Sequence, residues 1–157
     1  MAVEYTLLIA GDSVDRELID QLLRELSFPY AEHKDLDTGF RIDDFMDVTG
    51  FSLAFLSERN NPFGYEDNWL SQPFQSDRSI TLRESRLLEW PQEEENMLRF
   101  FVALLNRMQD DVLLTLNYDY IHLFRKGGRY SIKVSAGIWQ TPTGLAFLAT
   151  TPHEVIP

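Results

Sequence analysis

Residues 92–135, QEEENMLRFFVALLNRMQDDVLLTLNYDYIHLFRKGGRYSIKVS, decide the fold. Met97, Phe101, Leu104, Leu105 and Met108 recur at the three-and-four spacing of a helix, and Leu98 and Val102 widen the stripe. Pro91 suits a first-turn position, where its missing N–H would have had no partner. Glu93, Glu94 and Glu95 follow at the positive end of the helix dipole, with Arg107 at the negative end. The spacing therefore predicts a helix over 92–108. Beyond it, Val112–Leu116, Tyr120–Arg125 and Arg129–Ser135 are β-rich runs. Asn117, Tyr118 and Asp119 separate the first two, and the hairpin pair Gly127-Gly128 the last two. Tyr130, Ile132 and Val134 alternate with polar residues, so one face of this antiparallel meander is wet and the helix must cover the other.

Working back to the start, Glu4–Ala10 reads as a strand with Tyr5, Leu7 and Ile9 on one face and Leu8 on the other. Gly11-Asp12-Ser13 turns the chain, with Asp12 or Ser13 as the cap of a second helix over 14–27. Its stripe is Val14, Leu18, Ile19, Leu22, Leu23 and Leu26, ended by Phe28-Pro29. Phe40, Ile42 and Phe45 mark a less regular strand region, with Asp43, Asp44 and Asp47 exposed around it. Phe51–Leu56 and Ile80–Leu88 read as further strands, and 58–77 as a long loop. Ile138 and Trp139 precede a Thr-Pro-Thr-Gly turn, Leu145–Ala149 reads as a last strand, and Thr151–Pro157 as a tail. The order predicts one α+β domain over 1–157, with a mainly antiparallel sheet, two principal helices and a C-terminal meander.

The totals set bounds on function. A chain of 157 residues with 44% hydrophobic content is globular and long enough for a substantial core. It has no cysteine, which excludes disulfides and thiolate chemistry. The opening MAVEYTLLIAGDSVD lacks the basic start of a signal peptide, and no apolar run approaches membrane-spanning length. The expected location is the cytoplasm. Net charge is −11: residues 1–30 contribute −4 and 31–77 contribute −7, while the remainder balances. Such a field repels nucleic acid and membrane surfaces and attracts a basic partner, or else serves solubility.

Motifs for catalysis are thin. Leu8-Ile9-Ala10-Gly11-Asp12-Ser13 resembles the nucleophile block of GDS-type esterases, but the late Asp-x-x-His they need is missing, since Thr150 stands three before His153. A helix cap explains the same serine. His33, His122 and His153 are widely spaced and form no chelate pattern. Asp43, Asp44 and Asp47 lack the spacing of a calcium loop, and neither a metal nor another cofactor is expected. The 58–77 loop is the better candidate. Phe63, Tyr65, Trp69 and Phe74 lie among Glu66, Asp67 and Asn68, a mix suited to anchoring a partner and engaging its lysines and arginines. For Phe63 and Phe74, plugging the core explains the letters equally well.

The layout resembles the Sit-type bacterial immunity family, which protects myxobacteria-like cells from toxins delivered by kin. The resemblance rests on Val3-Glu4-Tyr5-Thr6-Leu7, Phe40-Arg41-Ile42-Asp43, Asn96-Met97-Leu98, Asp110-Asp111-Val112-Leu113-Leu114 and Leu123-Phe124-Arg125-Lys126-Gly127-Gly128. It implies a non-enzyme that binds a cognate toxin, and an acidic inhibitor suits a basic toxin such as a nuclease. On this reading Asp43, Asp44, Asp47, Tyr65, Glu66, Asp67 and Trp69 are the expected contacts. An acidic DNA mimic that inhibits a host enzyme is the alternative from the charge alone.

Overall fold

Five consecutive buried residues, Tyr5 to Ile9, can be satisfied only by a strand covered on both faces and paired on both edges. β1 (Glu4–Ala10) accordingly lies at the middle of a sheet. The computed structural model describes residues 3–30, 32–57 and 64–157. After β1 come α1 (Arg16–Glu25), β2 (Lys34–Leu36), β3 (Gly39–Ile42), α2 (Met46–Thr49), β4 (Phe51–Leu56), β5 (Arg78–Glu84) and α3 (Gln92–Leu105). Then follow β6 (Asp111–Leu116), β7 (Tyr120–Lys126), β8 (Arg129–Ile132), a 3-10 turn (Gly137–Gln140), α4 (Pro142–Thr150) and β9 (His153–Val155). Among the described residues these strands form one sheet in the order β2-β3-β4-β5-β1-β6-β7-β8-β9. Every pairing is antiparallel except β8 with β9. The fold is α+β, as the element order predicts.

The helices lie against one face. Met97, Leu98, Phe101 and Leu104 of α3 and Ile19, Leu22 and Leu23 of α1 share a buried cluster with Tyr5, Leu7, Ile9, Leu53, Leu82, Leu114 and Leu123 from the strands. Each such side chain contributes about 1.5–3 kcal/mol by leaving water. On the opposite face Leu8, Leu113, Ile121, Phe74 and Ile156 form a smaller cluster. The alternation in β1 therefore feeds both layers, as its residue pattern requires.

The start of α1 differs from expectation. Asp15, not Asp12 or Ser13, is the cap, its Oδ1 accepting the Leu18 N–H at 2.9 Å. Val14 and Ile19, both fully buried, occupy the two flanking positions of a hydrophobic staple, which fixes the cap one step after Val14. The two principal helices are thus 16–25 and 92–105, shorter than the periodic stripes of 14–27 and 92–108.

The C-terminal region needs a larger correction. Leu145–Ala149 is not a strand but part of α4. What reads as a Thr-Pro-Thr-Gly turn is a helix start: Thr141 Oγ1 accepts the Gly144 N–H at 3.2 Å, and Pro142 takes the first helical position. Leu-Ala-Phe-Leu-Ala lacks strand alternation, and a short apolar run does not separate strand from helix by period alone. Residues 151–157 are more than a tail, since β9 adds a parallel edge and Ile156 is buried beneath it. The strand expected over 80–88 is β5 at Arg78–Glu84, and Lys34–Leu36 forms an edge strand with no apolar alternation to announce it.

Glu84 closes β5 beside the first turn of α3. Burial, then the neighbouring Glu94 carboxylate and the charges of Glu94 and Glu93, raise its pKa from 4.5 to about 8, against the opposing pull of Arg86. The folded chain therefore keeps a proton that the unfolded chain releases near pH 4.5, and this contribution to stability falls as pH rises towards about 8. Glu84→Gln is expected to gain stability relative to the parent progressively across that window. Denaturant unfolding at about pH 5 and about pH 8.5 checks it.

Candidate functional site

The 64–77 segment lies across the sheet face opposite the helices. Tyr65 and Phe74 exchange backbone hydrogen bonds at 2.8 Å in both directions, closing a loop whose tip is 66–73. Phe74 is buried and packs edge-on against Phe124 of β7, with centroids 5.9 Å apart. This ring belongs to the smaller core. Phe63 lies outside the described residues. Trp69 also meets Phe124 edge-on, at 5.7 Å and 90°, yet keeps 37% of its surface exposed. It stands between two depressions. One of about 390 Å³ is bordered by Phe74, Phe124 and Lys126, and another of about 400 Å³ by Asp67, Asp119, Tyr120, His122 and Lys133.

The loop tip is held to the β6–β7 hairpin. Tyr65 donates its hydroxyl to the Tyr118 carbonyl at 2.7 Å, and Asp67 Oδ1 accepts the Trp69 N–H at 2.8 Å. Burial raises the Tyr65 pKa, and the Asp67 and Asp119 carboxylates raise it further. The hairpin itself is pinned to β1: Glu4 donates its N–H to Asn117 Oδ1, and Asn117 donates its own to the Glu4 carbonyl, both at 2.8 Å. Asn117 and Tyr118 have φ of 52° and 59°. Asparagine tolerates that left-handed region, but a tyrosine there stores on the order of 1–3 kcal/mol of strain. Gly127-Gly128 makes the next hairpin at positive φ without it.

Loop and hairpin together present three exposed aromatic residues: Trp69 and Tyr120 border one depression with Asp67 and Asp119, while Tyr118 reaches back to bond Thr6 of β1 through its hydroxyl. Exposed Glu66 lies in the same loop. Tyr65, Glu66, Asp67 and Trp69 of the loop are among the residues that the sequence singles out; Tyr118, Asp119 and Tyr120 of the hairpin are not. Asn117, Tyr118 and Asp119 look like an ordinary strand separator. The signal was there in the pairing of an asparagine with a bulky residue where a tight hairpin favours glycine.

Asp43, Asp44 and Asp47 lie elsewhere. They belong to the connection between β3 and β4, five strand spacings from β7, or about 24 Å. Asp43, expected to be exposed, keeps only 20% of its side-chain surface in water and pairs with Arg41 at 2.8 Å and Lys34 at 3.2 Å. Burial pushes its carboxyl up, but the two bases overcome this and leave it below its ordinary value. Asp44 Oδ2 accepts the Glu32 N–H at 3.2 Å, and Asp47 is exposed on α2. The register nonetheless sets both groups at the same end of the sheet. β4 begins there opposite the end of β5, and β6 ends there opposite the start of β1.

Residues 3–143 match the family model described as SitI3-like. The chain belongs to the SitI3-like family. Comparison with curated proteins and with solved structures gave no match. In this SitI3-like chain the serine of the esterase-like block faces a carboxylate: Ser13 Oγ donates to Asp110 Oδ2 at 2.6 Å. The histidines are engaged apart from it. His33 lies 2.8 Å from Asp20, His122 packs on the Tyr5 ring, and His153 meets the Thr151 carbonyl. Burial lowers the pKa of His122. Among the described residues no group of three or more acids and histidines is placed to hold a metal ion, and no helix is long and apolar enough to cross a membrane.

Proposed function

We propose that this chain is an immunity protein: one cytoplasmic domain that neutralises the toxin of its own system by stoichiometric binding, without catalysis. The family name supports the role. The observation that carries the binding surface is the loop and hairpin joined by the Tyr65–Tyr118 hydrogen bond, which present Trp69, Tyr118 and Tyr120 to water on segments that also carry Glu66, Asp67 and Asp119. Aromatic side chains held rigid give large contact area at small entropic cost, and surrounding carboxylates select lysine- and arginine-rich surfaces. A net charge of −11 adds long-range attraction for such a partner. A nuclease with a basic substrate groove fits, because an acidic inhibitor competes there with the polyanion.

Co-expression tests this reading. Cells producing the toxin from the same locus should survive with the parent protein and die with Glu66→Lys/Asp119→Lys, both of which are exposed positions. Asp67 is a poorer choice for reversal because it also caps the Trp69 N–H. Survival with the reversed protein would remove the rim from the interface. Tyr118→Gly separates strain from function: it relieves the left-handed strain but loses the Tyr118 hydroxyl bond to Thr6, so stability should stay within about 1 kcal/mol of the parent while toxin binding weakens. Thermal unfolding and a binding titration on the same sample read the two effects.

A further inference from the structure

Trp90, Leu87 and Val48 are exposed by 65%, 62% and 51%. The loop that carries the first two, between β5 and α3, is held in place with unusual care. The buried Glu93 carboxylate of α3 accepts from Ser85 Oγ at 2.8 Å and from the backbone N–H groups of Arg86, Leu87 and Leu88 at 3.1–3.2 Å. Arg86 sits at a φ of 62°, a left-handed conformation that costs a side-chain-bearing residue free energy. The turn that carries Val48 packs against the same glutamate and is tied to the same loop. Ser85 donates its N–H to the Gly50 carbonyl at 2.8 Å, and a Cβ on Gly50 would stand 2.5 Å from Glu93 Cγ. A buried, hydrogen-bonded carboxyl group and a strained residue thus hold large apolar side chains in water. The hydrogen bonds hold the loop, but exposing the apolar side chains gains the fold nothing, whereas a fixed loop lowers the entropic cost of being bound.

The sheet register places this group at the same end of the sheet as the surface already described. Phe51 pairs with Glu84, Glu4 with Arg83, and Tyr5 with Leu116, so α2, the 85–91 loop and the β6–β7 hairpin share one end of the sheet. Only β1 separates β5 from β6, a distance of about 10 Å. The two segments that carry Val48, Leu87 and Trp90 also carry exposed Asp44, Asp47 and Glu89 against one exposed base, Arg86, so acid predominates there as it does in the loop and hairpin of the first group. The ~800 Å² that one partner contributes to a stable interface is a patch about 30 Å across, which spans several strand spacings along one end of a sheet.

We propose that Val48, Leu87 and Trp90 are a second anchor for the same basic toxin, seating an apolar group that basic residues flank on its surface. The proposal rests on the immunity reading. Hydrogen exchange on the complex with an active-site-inactivated toxin from the same locus tests it. Residues 46–50 and 85–91 should slow together with 66–70 and 117–120. Trp90→Ala should raise the Kd at least tenfold with an unchanged melting temperature, and Leu87→Ser should act in the same direction. Slowing confined to 66–70 and 117–120, with parental affinity in both variants, would overturn the second anchor and leave the immunity reading intact. Absence of any complex would overturn both. A dimer of the free protein that Trp90→Asp dissociates would assign the patch to a second copy and overturn the proposal.

Discussion

Arg125→Met is expected to lower the unfolding free energy by about 3–5 kcal/mol. Arg125 is buried on β7 with no carboxylate against it. Its guanidinium instead donates to the carbonyls of Leu105 at 3.0 Å, Met108 at 3.1 Å and Asp110 at 2.8 and 3.2 Å, and to the Tyr130 hydroxyl at 3.1 Å. These carbonyls close α3 and lead into β6, so one side chain satisfies the helix end, offsets its negative dipole and ties it to the sheet. Methionine fills much of the volume but leaves three carbonyls without their donor. The melting temperature should fall on the order of 10 °C. Arg125→Lys keeps the charge yet lacks the planar fork, and should recover only part of the loss. Equal stability of parent and Met variant would show that water replaces the guanidinium at little cost.

Trp69→Ala is expected to weaken toxin binding about a hundredfold, with Tyr120→Ala a lesser but still large loss. Trp69 is the wall shared by the two depressions, and its edge-on contact with Phe124 fixes the indole before a partner arrives. Truncating a central, pre-positioned tryptophan at an interface typically costs 2 kcal/mol or more, and about 2.7 kcal/mol corresponds to a hundredfold. Stability should change little by comparison, because Phe74, Leu113 and Ile121 fill the core beneath without it. A titration of the variant against the inactivated toxin, with a melt on the same sample, checks both expectations. Parental affinity would move the interface away from the loop.

The sequence reaches the main elements because their signals are local and repeated. The α3 stripe, the alternation in β6–β8 and the Gly127-Gly128 turn each state their own structure several times over. What escaped reading depends on partners distant in sequence. Ser13 looks like a cap until Asp110 is set beside it, and Arg125 looks like one more β-strand cation until the end of α3 arrives above it. Leu145–Ala149 was ambiguous by period, and only the cap at Thr141 distinguishes helix from strand. At the candidate site, composition singled out Tyr65 to Trp69. The contribution of Tyr118 to Tyr120 arises from the hydrogen bond that joins loop and hairpin across fifty-three residues. Three aspartates, Asp43, Asp44 and Asp47, carry one kind of letter but three different environments, which no charge count distinguishes.

Calorimetric titration with the inactivated toxin, repeated across a range of salt, tests the central claim most directly. The account predicts a one-to-one complex whose Kd rises at least tenfold between about 0.05 M and about 0.5 M salt, as exposed carboxylates lose their hold on a basic surface. It also predicts that Glu66→Lys/Asp119→Lys binds more weakly than the parent and loses most of that salt dependence. No heat of binding, or an affinity indifferent to both salt and charge reversal, would contradict it.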